Sequence, residues 1–417
     1  MEKVDFAACV LHKEFEKSDA YNSLSMPVYN TAAYEFKSAE DMEEAFCGRT
    51  PDHVYSRLTN PTVQYFEQRV QEVTKAMSVT AVNSGMAAIS NAVMALSWSG
   101  CNIVTSPHLF GNTYSFFKFT LAYYGVETRF CDMTDAEEVE RNIDQNTALI
   151  FLEVITNPQL EVADLKSLSV IARKHGLPLL ADTTAMPFNV FPACKFGVDI
   201  EIISSTKYIS GGATSLGGLI LDYGTSDYSR SPKLGELSKV AGNKAFTFKL
   251  KREILRNLGA YMTPQVAYMQ TLGLETMEVR YARQASTCRE LAERMSKLPK
   301  IEKVNYTGLK DNPFYNISLE QFGEYPGAMF TFDLSSREAA FQFINNLRTI
   351  RRATNLFDNK SLAIHPASTI FGTFNDEQRA AMNISQKCIR LSVGLESPDT
   401  LFEDIENALH LLRNQQV

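Results

Sequence analysis

The 417-residue sequence has no apolar run close to the roughly 18 residues that a membrane-spanning helix needs. It also has no excess of basic residues. Its net charge of −7 disfavours nucleic-acid binding, which usually requires a basic face. The first residues, MEKVDFAACVLHKEFE, carry charges on both sides of a short apolar patch, unlike a signal peptide. We therefore expect a globular protein whose partners are neither membranes nor nucleic acids.

Signatures of disulfides and metal sites are missing as well. The seven cysteines contain no CxxC pair and their number is odd, which favours a reducing cytoplasm with most of them as small core residues. The six histidines show no HExxH-like spacing, so we predict no metal site. The sequence also lacks internal repeats and low-complexity linkers. At this length, it predicts a cytoplasmic protein of two or three domains.

Between residues 60 and 225, short apolar segments alternate with helical patterns. The strand candidates are VTAVN, NIVTS, VETRF, TALIFLEVI, LPLLAD, VDIEIIS and LGGLILD. Most are continuous apolar runs, which are typical of strands buried on both faces of a parallel sheet. The spacing of Met86, Ile89 and Val93 predicts a helix, and LKSLSVIARKHG predicts another that ends at its glycine. This alternation predicts an α/β domain with ligands at the carboxyl ends of its strands.

Three units are expected along the chain. Residues 1–60 are predicted to form an irregular arm, residues 61–255 the α/β domain, and residues 256–417 a smaller C-terminal α+β domain. A helical stretch is expected from about 245 to 295. In the last unit GAMFTFDL and CIRLSVGLE are predicted strands, and EDIENALHLLRN is a closing helix.

The segment VNSGMAAIS is predicted to run from a strand into a helix through Ser84, Gly85 and Met86. Gly85 allows close backbone approach, and the free N–H groups of the first turn, together with the helix dipole, can bind an anion. The alternative is that Ser84 is an ordinary N-cap without a ligand. The segment alone favours the cap.

Two more polar features follow predicted strand ends. Asp182 ends the strand LPLLAD, and Lys207 follows VDIEIIS with Ser204 and Thr206 beside it. Each has an ordinary interpretation, the acid as a cap and the lysine as a solvated side chain. Together with the anion site they are the parts that hold pyridoxal phosphate. The phosphate takes the helix N-terminus and the hydroxyls, the lysine forms the Schiff base, and the acid keeps the pyridine nitrogen protonated.

With these motifs the sequence resembles the Cys/Met-metabolism pyridoxal-phosphate enzymes, from YSRLTNPT to IRLSVGLE. That family includes cystathionine synthases and lyases, methionine γ-lyase and O-acetylhomoserine sulfhydrylase. The resemblance implies the fold of a fold-type I pyridoxal-phosphate-dependent transferase. Such a fold has a mostly parallel seven-stranded sheet and a smaller C-terminal α+β domain.

The resemblance also assigns cofactor-binding roles. It makes Lys207 the Schiff-base lysine and Asp182 the partner of the pyridine nitrogen. The residues that it places around the phosphate are Ser84, Gly85, Met86, Ser204 and Thr206. Tyr55 and Arg57, in YSRLTNP, match a pair that a neighbouring subunit contributes to the same phosphate. This implies a homotetramer built from two tight dimers.

Further roles concern an amino-acid substrate. Asn157, in EVITNP, matches the residue that hydrogen-bonds the phenolic oxygen of the cofactor, and it also faces the substrate. Arg390, in IRLSVGLE, matches the arginine that clamps the substrate α-carboxylate, since a buried arginine on a strand needs an anion. Asn355 lies at a position where the sequence resembles the sulfhydrylases. Thr354 lies where cystathionine γ-lyases place a glutamate.

Local matches favour one member of the family. The stretch from LRNLGAYMTPQ to GLETMEVR is most similar to the sulfhydrylases, and Asn112 replaces the active-site cysteine of the methionine γ-lyases. The expected reaction is γ-replacement on an O-acyl-homoserine, with O-acetylhomoserine as the expected ester, by a sulfur donor to give homocysteine. The alternatives are a methionine γ-lyase, a cystathionine γ-synthase or γ-lyase, and a cofactor-binding homologue with little activity.

Two residues depart from the family pattern. Phe110, in SPHLFGNTY, stands where the family has a tyrosine that stacks on the cofactor ring and assists proton transfer to the leaving group. Phe371 stands where the family usually has histidine. We expect both changes to make the site more apolar. Because Phe110 lacks the hydroxyl of that tyrosine, we expect substrates with an acetate leaving group to be favoured over those that expel a thiolate.

Overall fold

Two β-sheets organise the protein in the computed structural model, which describes residues 5–13 and 21–412. The strands of the larger sheet are β1 (Ser78–Val82), β2 (Asn102–Thr105), β3 (Glu127–Phe130), β4 (Thr147–Glu153), β5 (Leu179–Asp182), β6 (Ile200–Ile203) and β7 (Gly218–Asp222). The strands of the smaller sheet are β8 (Lys303–Asn305), β9 (Met329–Asp333), β10 (Arg351–Arg352), β11 (Leu362–Ile364) and β12 (Cys388–Ser392).

The larger sheet has the order β1-β7-β6-β5-β4-β2-β3. Strand β7 is antiparallel to both of its neighbours, and the other neighbouring pairs are parallel. All seven predicted segments contribute a strand, so the prediction of a mostly parallel seven-stranded sheet is confirmed. The parallel strands β4, β5 and β6 end at the same edge, which brings their carboxyl ends together.

Helices follow the strands and cover both faces of the larger sheet. The α-helices are α1 (Phe6–Leu11), α2 (Ala39–Phe46), α3 (Pro61–Thr74), α4 (Gly85–Leu96), α5 (Gly111–Ser115), α6 (Ala136–Arg141), α7 (Leu165–His175), α8 (Gly235–Ala241), α9 (Ala245–Lys249), α10 (Arg256–Leu258), α11 (Pro264–Glu275), α12 (Met277–Met295), α13 (Tyr315–Phe322), α14 (Arg337–Asn346), α15 (Asp376–Ala381) and α16 (Pro398–His410). The π-helical segments are Phe116–Thr120 and Leu250–Leu255, and the 3-10 segments are Leu121–Tyr124, Ala193–Phe196, Gly242–Lys244 and Pro366–Ser368.

The continuous apolar strands are buried on both faces, as their sequences predict. Along β4, Ile150 and Leu152 belong to one hydrophobic cluster, while Leu149 and Phe151 belong to the cluster on the other side. Successive strand residues point to opposite faces, so each cluster takes every second side chain. Both faces of the sheet are therefore dry, and a ligand can reach it only at an edge or at the strand ends.

The smaller sheet has the order β10-β11-β12-β9-β8. Strand β12 pairs antiparallel with both β11 and β9. The predicted strands GAMFTFDL and CIRLSVGLE correspond to β9 and β12, and the predicted closing helix corresponds to α16. The smaller α+β part is thus confirmed, while the boundaries at 60 and 255 stay a prediction.

Two local expectations differ from the structure. The arm is not wholly irregular, because Asp5 and Ser38 cap the short helices α1 and α2, and Phe6 and Val10 of α1 are buried in the core. The predicted helical stretch is interrupted at Gly259, which ends α10 with φ +73°. This left-handed backbone conformation is unfavourable for most residues, and glycine adopts it without a steric penalty.

Among the described residues, no helix has the length and apolarity to cross a membrane. The same residues contain no cluster of three or more His, Cys, Asp and Glu side chains with the geometry to hold a metal ion.

A buried acid in the sheet makes the stability of the fold depend on pH. Glu201 on β6 is fully buried, and its carboxyl accepts hydrogen bonds from the hydroxyls of Thr183 and Tyr223, each at 2.5 Å. Burial raises the pKa of Glu201 to about 7. A raised carboxyl pKa means that its contribution to stability is complete below the unfolded pKa and is lost as the pH rises through the folded pKa.

We expect Glu201→Gln to be stabilised relative to the wild type at pH 8.5 and much less so at pH 5. The wild type should lose about 3 kcal/mol of its free energy of unfolding over this pH range, as given by the difference between the ordinary glutamate pKa and the raised one, and the variant should not. Unfolding midpoints of both proteins across this pH range measure it. Glu236→Gln on exposed α8 is the control, and equal pH dependence of Glu201→Gln and the wild type would contradict the assignment.

Candidate active site

One cavity of about 580 Å³ opens at the carboxyl ends of β4, β5 and β6, beside the N-terminus of α4. Ten of the sequence-predicted site residues line it: Ser84, Gly85, Met86, Phe110, Asn157, Asp182, Ser204, Thr206, Lys207 and Asn355. These residues lie far apart in the sequence, and the strand order brings them together. The structure therefore has a cavity at the strand ends where the sequence predicts a ligand site.

The N-terminus of α4 forms a tight cradle at one end of the cavity. The Ser84 hydroxyl accepts the backbone N–H of Ala87 at 3.1 Å, so Ser84 caps α4, and its predicted place at an anion stays a prediction. A Cβ added at Gly85 would lie 2.7 Å from the Cβ of Ser204, so only glycine allows this approach. The first-turn N–H groups and the Ser204 hydroxyl thus meet in one place, which suits an anion.

Thr206 stands beside this cradle on the turn after β6. Its hydroxyl accepts the backbone N–H of Gly217 at 3.0 Å and donates to the carbonyl oxygen of the same residue at 3.2 Å. The hydroxyl therefore fixes the turn to the following loop. To donate to a phosphate, the Thr206 hydroxyl would have to give up its hydrogen bond to the carbonyl oxygen of Gly217.

The Lys207 amine lies on the same turn and points into the cavity. Its Nζ donates to Oδ1 of Asn355 at 2.8 Å. Burial, and next the positive charge of Arg390, lowers the pKa of Lys207 to about 8, while Asp182 and Asp358 act in the opposite direction. The amine is consequently neutral, and nucleophilic, in a much larger fraction of molecules near neutral pH than an ordinary lysine is.

Asp182 has a second carboxyl beside it that the sequence analysis missed. Glu153 on β4 is the cross-strand partner of Asp182, and both side chains line the cavity. Glu153 accepts the backbone N–H of Phe110 at 2.7 Å, and Asp182 accepts that of Thr184 at 2.9 Å. Burial raises the pKa of both acids, and the charge of Asp182 raises that of Glu153 further. The neighbouring acids thus favour a neutral Glu153 beside an ionised Asp182.

Arg390 is a buried cation with one donor still open. Its side chain on β12 is 1% exposed, and Nη1 donates to Oδ1 of Asn157 at 3.0 Å. Nη2 donates to the carbonyl oxygens of Thr354 and Asn355 at 3.1 and 3.2 Å. The buried Nε has no hydrogen-bond partner among the described residues, and burial lowers the pKa of Arg390 to about 10. Arg390 lies behind the cavity lining, to which its partners Asn157 and Asn355 belong, and a buried guanidinium with an open Nε suits a carboxylate ligand.

Tyr55 and Arg57 are the two predicted cofactor residues that the cavity does not contain. They are absent from the described residues that line it. The Arg57 guanidinium lies 5.6 Å from the ring centroid of Tyr55 and donates to the carbonyl oxygen of Arg256. The pair therefore lies outside the cavity of its own chain. Its predicted role at the cavity of a neighbouring subunit stays a prediction.

The two phenylalanines that depart from the family pattern occupy different places. Phe110 lines the cavity at the start of α5. Phe371 is fully buried and packs against Phe374, with ring centroids 5.8 Å apart, in a small cluster outside the lining of the cavity. The expectation that Phe371 makes the site more apolar is therefore wrong, because its ring fills a separate core.

Comparison with known proteins agrees with this arrangement. Residues 7–410 match the model of the Cys/Met metabolism PLP-dependent enzyme family. The chain belongs to this family. The resemblance stated from the motifs is thereby confirmed, and so is pyridoxal phosphate as the cofactor of the protein.

Relatives in the family carry more than one activity. An L-methionine γ-lyase of Fusobacterium nucleatum is 33% identical over 98% of this chain and 99% of its own length. A solved structure of an O-acetylhomoserine sulfhydrylase of Wolinella succinogenes has 43% sequence identity and a TM-score of 0.76 to this chain. The match covers 85% of this chain and 99% of the other. Membership of the family thus leaves the choice between replacement and elimination to the site itself.

A third comparison concerns the cofactor. The crystal structure of a protein of Campylobacter jejuni, assigned as an O-acetylhomoserine (thiol)-lyase, has a TM-score of 0.90 and 31% identity. It covers 98% of this chain and 100% of the other, and it contains N′-pyridoxyl-lysine-5′-monophosphate. The present cavity fits such a group, because it combines a glycine-lined anion cradle, a lysine amine and the half-buried carboxylate of Asp182.

Proposed function

We propose that the protein catalyses γ-replacement on an O-acyl-homoserine, with O-acetylhomoserine as the expected ester, by a sulfur nucleophile to give homocysteine. The observation that carries this proposal is Phe110, a cavity-lining residue without a hydroxyl. The other residues that line the cavity include the apolar Met86 and Ile89, the hydroxyl-bearing Thr113, and Glu153, whose carboxyl accepts the backbone N–H of Phe110 at 2.7 Å. Acetate leaves as a weak base without a strong acid, whereas a thiolate needs general-acid assistance.

In this proposal the cofactor is held by residues of four segments. The N-terminus of α4 with Ser84, Gly85 and Met86, and the hydroxyls of Ser204 and Thr206, would hold the phosphate. Lys207 would attach the cofactor, Asp182 would pair with its ring nitrogen, and Asn157 would hydrogen-bond its phenolic oxygen. When bound, pyridoxal phosphate supplies an electron sink for the carbon skeleton of an amino acid.

Lys207 also moves protons in the proposed mechanism. Its Nζ lies at the cavity, where it donates to Oδ1 of Asn355 at 2.8 Å. With a pKa lowered to about 8 by burial, the amine can accept the Cα proton of the substrate and pass on the Cβ proton. A lysine with an ordinary pKa would be protonated too often to act as a base near neutral pH.

Arg390 binds and orients the substrate. Its open Nε and its Nη1, which already contacts Asn157, offer two donors to an α-carboxylate. Binding a carboxylate there provides the buried guanidinium with its missing anion, and this orients the substrate Cα toward Lys207. Asn355 and Thr354, whose carbonyl oxygens already hold Nη2, complete this wall.

The test is the product formed from each candidate substrate. With O-acetylhomoserine and sulfide, the purified protein is expected to form homocysteine at a higher kcat/KM than it forms 2-oxobutyrate from methionine or cystathionine. Succinyl- and phospho-homoserine in the same assay define the acyl group. Preferred elimination of methionine would instead support the lyase activity of the Fusobacterium relative, and turnover of none of them would support a cofactor-binding homologue.

We further expect Phe110→Tyr to change the choice of substrate. A new hydroxyl at this wall can act as the general acid, which contributes roughly 10²- to 10⁴-fold when a step needs it. Elimination from methionine should therefore gain far more in kcat/KM than replacement on O-acetylhomoserine, with cofactor content unchanged. Phe119→Tyr, on an exposed phenylalanine, is the control. Equal changes for both substrates would contradict the assignment of Phe110.

A homotetramer of two tight dimers is part of the proposal. Arg57 and Tyr55 lie outside the cavity of their own chain, and the arm exposes large apolar side chains, among them Leu24 at 99% and Phe46 at 55% exposure. A second copy that covered this surface would bury them and receive Arg57 as a phosphate ligand.

A further inference from the structure

The loop of residues 354–358 forms one wall of the cavity and ends on a buried acid that the proposed mechanism does not use. Asp358 is 2% exposed and lies behind the cavity lining. Its Oδ1 accepts the backbone N–H of Lys360 at 3.0 Å and faces the Lys360 ammonium at 3.3 Å. Its Oδ2 accepts the side-chain amide of Asn355 at 3.0 Å. Both carboxylate oxygens are therefore engaged.

This last bond fixes the orientation of the Asn355 amide. An ionised carboxylate only accepts hydrogen bonds, so Asp358 selects the Nδ2 end of the amide. The Oδ1 end is then turned to Lys207, whose Nζ it meets at 2.8 Å. With the amide reversed, Asn355 would present its oxygen to the carboxylate and its NH₂ group to the ammonium, and both contacts would be repulsive.

Side-chain packing holds the loop against the turn of Lys207, and the strained backbone of the loop is a sign of this constraint. Phe357 has φ +55°, a left-handed conformation that a bulky residue keeps only when its surroundings impose it. Its buried ring stacks on Tyr208, with centroids 4.3 Å apart and an interplanar angle of 16°. Tyr208 directly follows Lys207, so the stack ties the loop to the residue next to the amine.

We propose that Asp358 is a positioning residue, which orients Asn355 so that the amide oxygen holds the free amine of Lys207 in place. The inference rests on the proposed function, in which this amine accepts and passes on protons of the substrate. Four charged groups face the amine or line its cavity: Asp182 from β5, Glu153 from β4, Arg390 from β12 and Asp358 from the loop. The negative charge of Asp358 raises the pKa of Lys207, against the lowering by burial and Arg390.

The experiment measures how fast the cofactor-free full-length protein captures pyridoxal 5′-phosphate as a function of pH, followed by absorbance. Lys207→Ala gives the background. In Asp358→Asn, which is nearly isosteric and uncharged, we expect the inflection of the rate profile to move to lower pH, because the charge that raises the pKa of Lys207 is removed. The capture rate above the inflection should fall about tenfold, which is the effect of one hydrogen bond to a charged group. In turnover, kcat should fall with little change in KM.

Two further variants keep the test decisive. Lys360→Met removes the exposed partner of Asp358, and it should leave both inflection and rate close to those of the wild type. Asn355→Ala keeps Asp358 and should slow capture by about the same tenfold, because the amine loses its acceptor. An Asp358→Asn profile that coincides with the wild type would overturn the inference, as would unimpaired capture in Asn355→Ala if Asp358→Asn does not fold.

The capture assay does not depend on the substrate of the enzyme. A wild-type protein that captures the cofactor at Lys207 but converts no homoserine ester would contradict the proposed function and leave this inference standing. Normal conversion of the ester by a wild type and an Asp358→Asn variant with identical capture profiles would contradict the inference alone.

Discussion

Lys207→Ala is expected to remain folded and to lose turnover by at least 10²- to 10⁴-fold, roughly the contribution of its proton transfers alone. It should also lose the visible absorbance band of the bound cofactor, because no other amine among the cavity-lining residues can replace Nζ. Lys239→Ala is the matched control, since this lysine is exposed on α8 and pairs with the exposed Glu236 at 2.6 Å, away from the cavity lining.

The measurement combines steady-state kinetics with the absorbance spectrum of the purified protein. An exogenous primary amine should restore part of the activity if the lysine acts as a base. A Lys207→Ala protein with the normal spectrum and normal turnover would show that another residue carries the cofactor.

The second large effect is expected from mixing two inactive proteins. Arg57→Ala lacks the cation proposed to reach the partner's phosphate, and Lys207→Ala lacks the amine. If each active site takes Lys207 from one chain and Arg57 from the other, a hybrid dimer has one site with both residues. Random exchange makes half of the dimers hybrid, so activity should return to about a quarter of the wild-type value.

The control is each variant incubated with itself under the same conditions of exchange. Subunit exchange has to be confirmed independently, for example with differently tagged chains. Absence of any recovered activity in confirmed hybrids would mean that Arg57 serves its own chain, and the proposed dimer would be wrong in this respect.

The large sheet could be predicted from the sequence because its strands are local signals. The run TALIFLEVI is mostly apolar, which is typical of a strand buried on both faces, and Ile150 and Phe151 indeed lie on opposite sides of the sheet. Polar residues directly after such runs, such as Asp182 and Lys207, were equally visible. Parallel strands bring their carboxyl ends to one edge of the sheet. Residues that follow different strands could therefore be predicted to lie close together.

Other parts of the site depend on contacts that no local pattern reports. Glu153 interrupts the apolar run TALIFLEVI, and its polarity there was a signal, but only the pairing of β4 with β5 places it beside Asp182. Asp358 lies in an irregular loop, and its role depends on Asn355 and on a backbone at Phe357 that is unusual for a phenylalanine. The prediction for Phe371 failed for the same reason, since its ring packs on Phe374 away from the cavity.

The central claim is that Lys207 is the residue that binds the cofactor, because the proposed roles of Asp182, Asn355 and Arg390 are all defined by their positions around its amine. Reduction of the protein with borohydride, followed by proteolysis and mass spectrometry, tests this directly. We predict one modified peptide, in which Lys207 carries a pyridoxyl phosphate group. A pyridoxyl group on any other lysine, or an unmodified Lys207 in protein that contains the cofactor, would contradict the account.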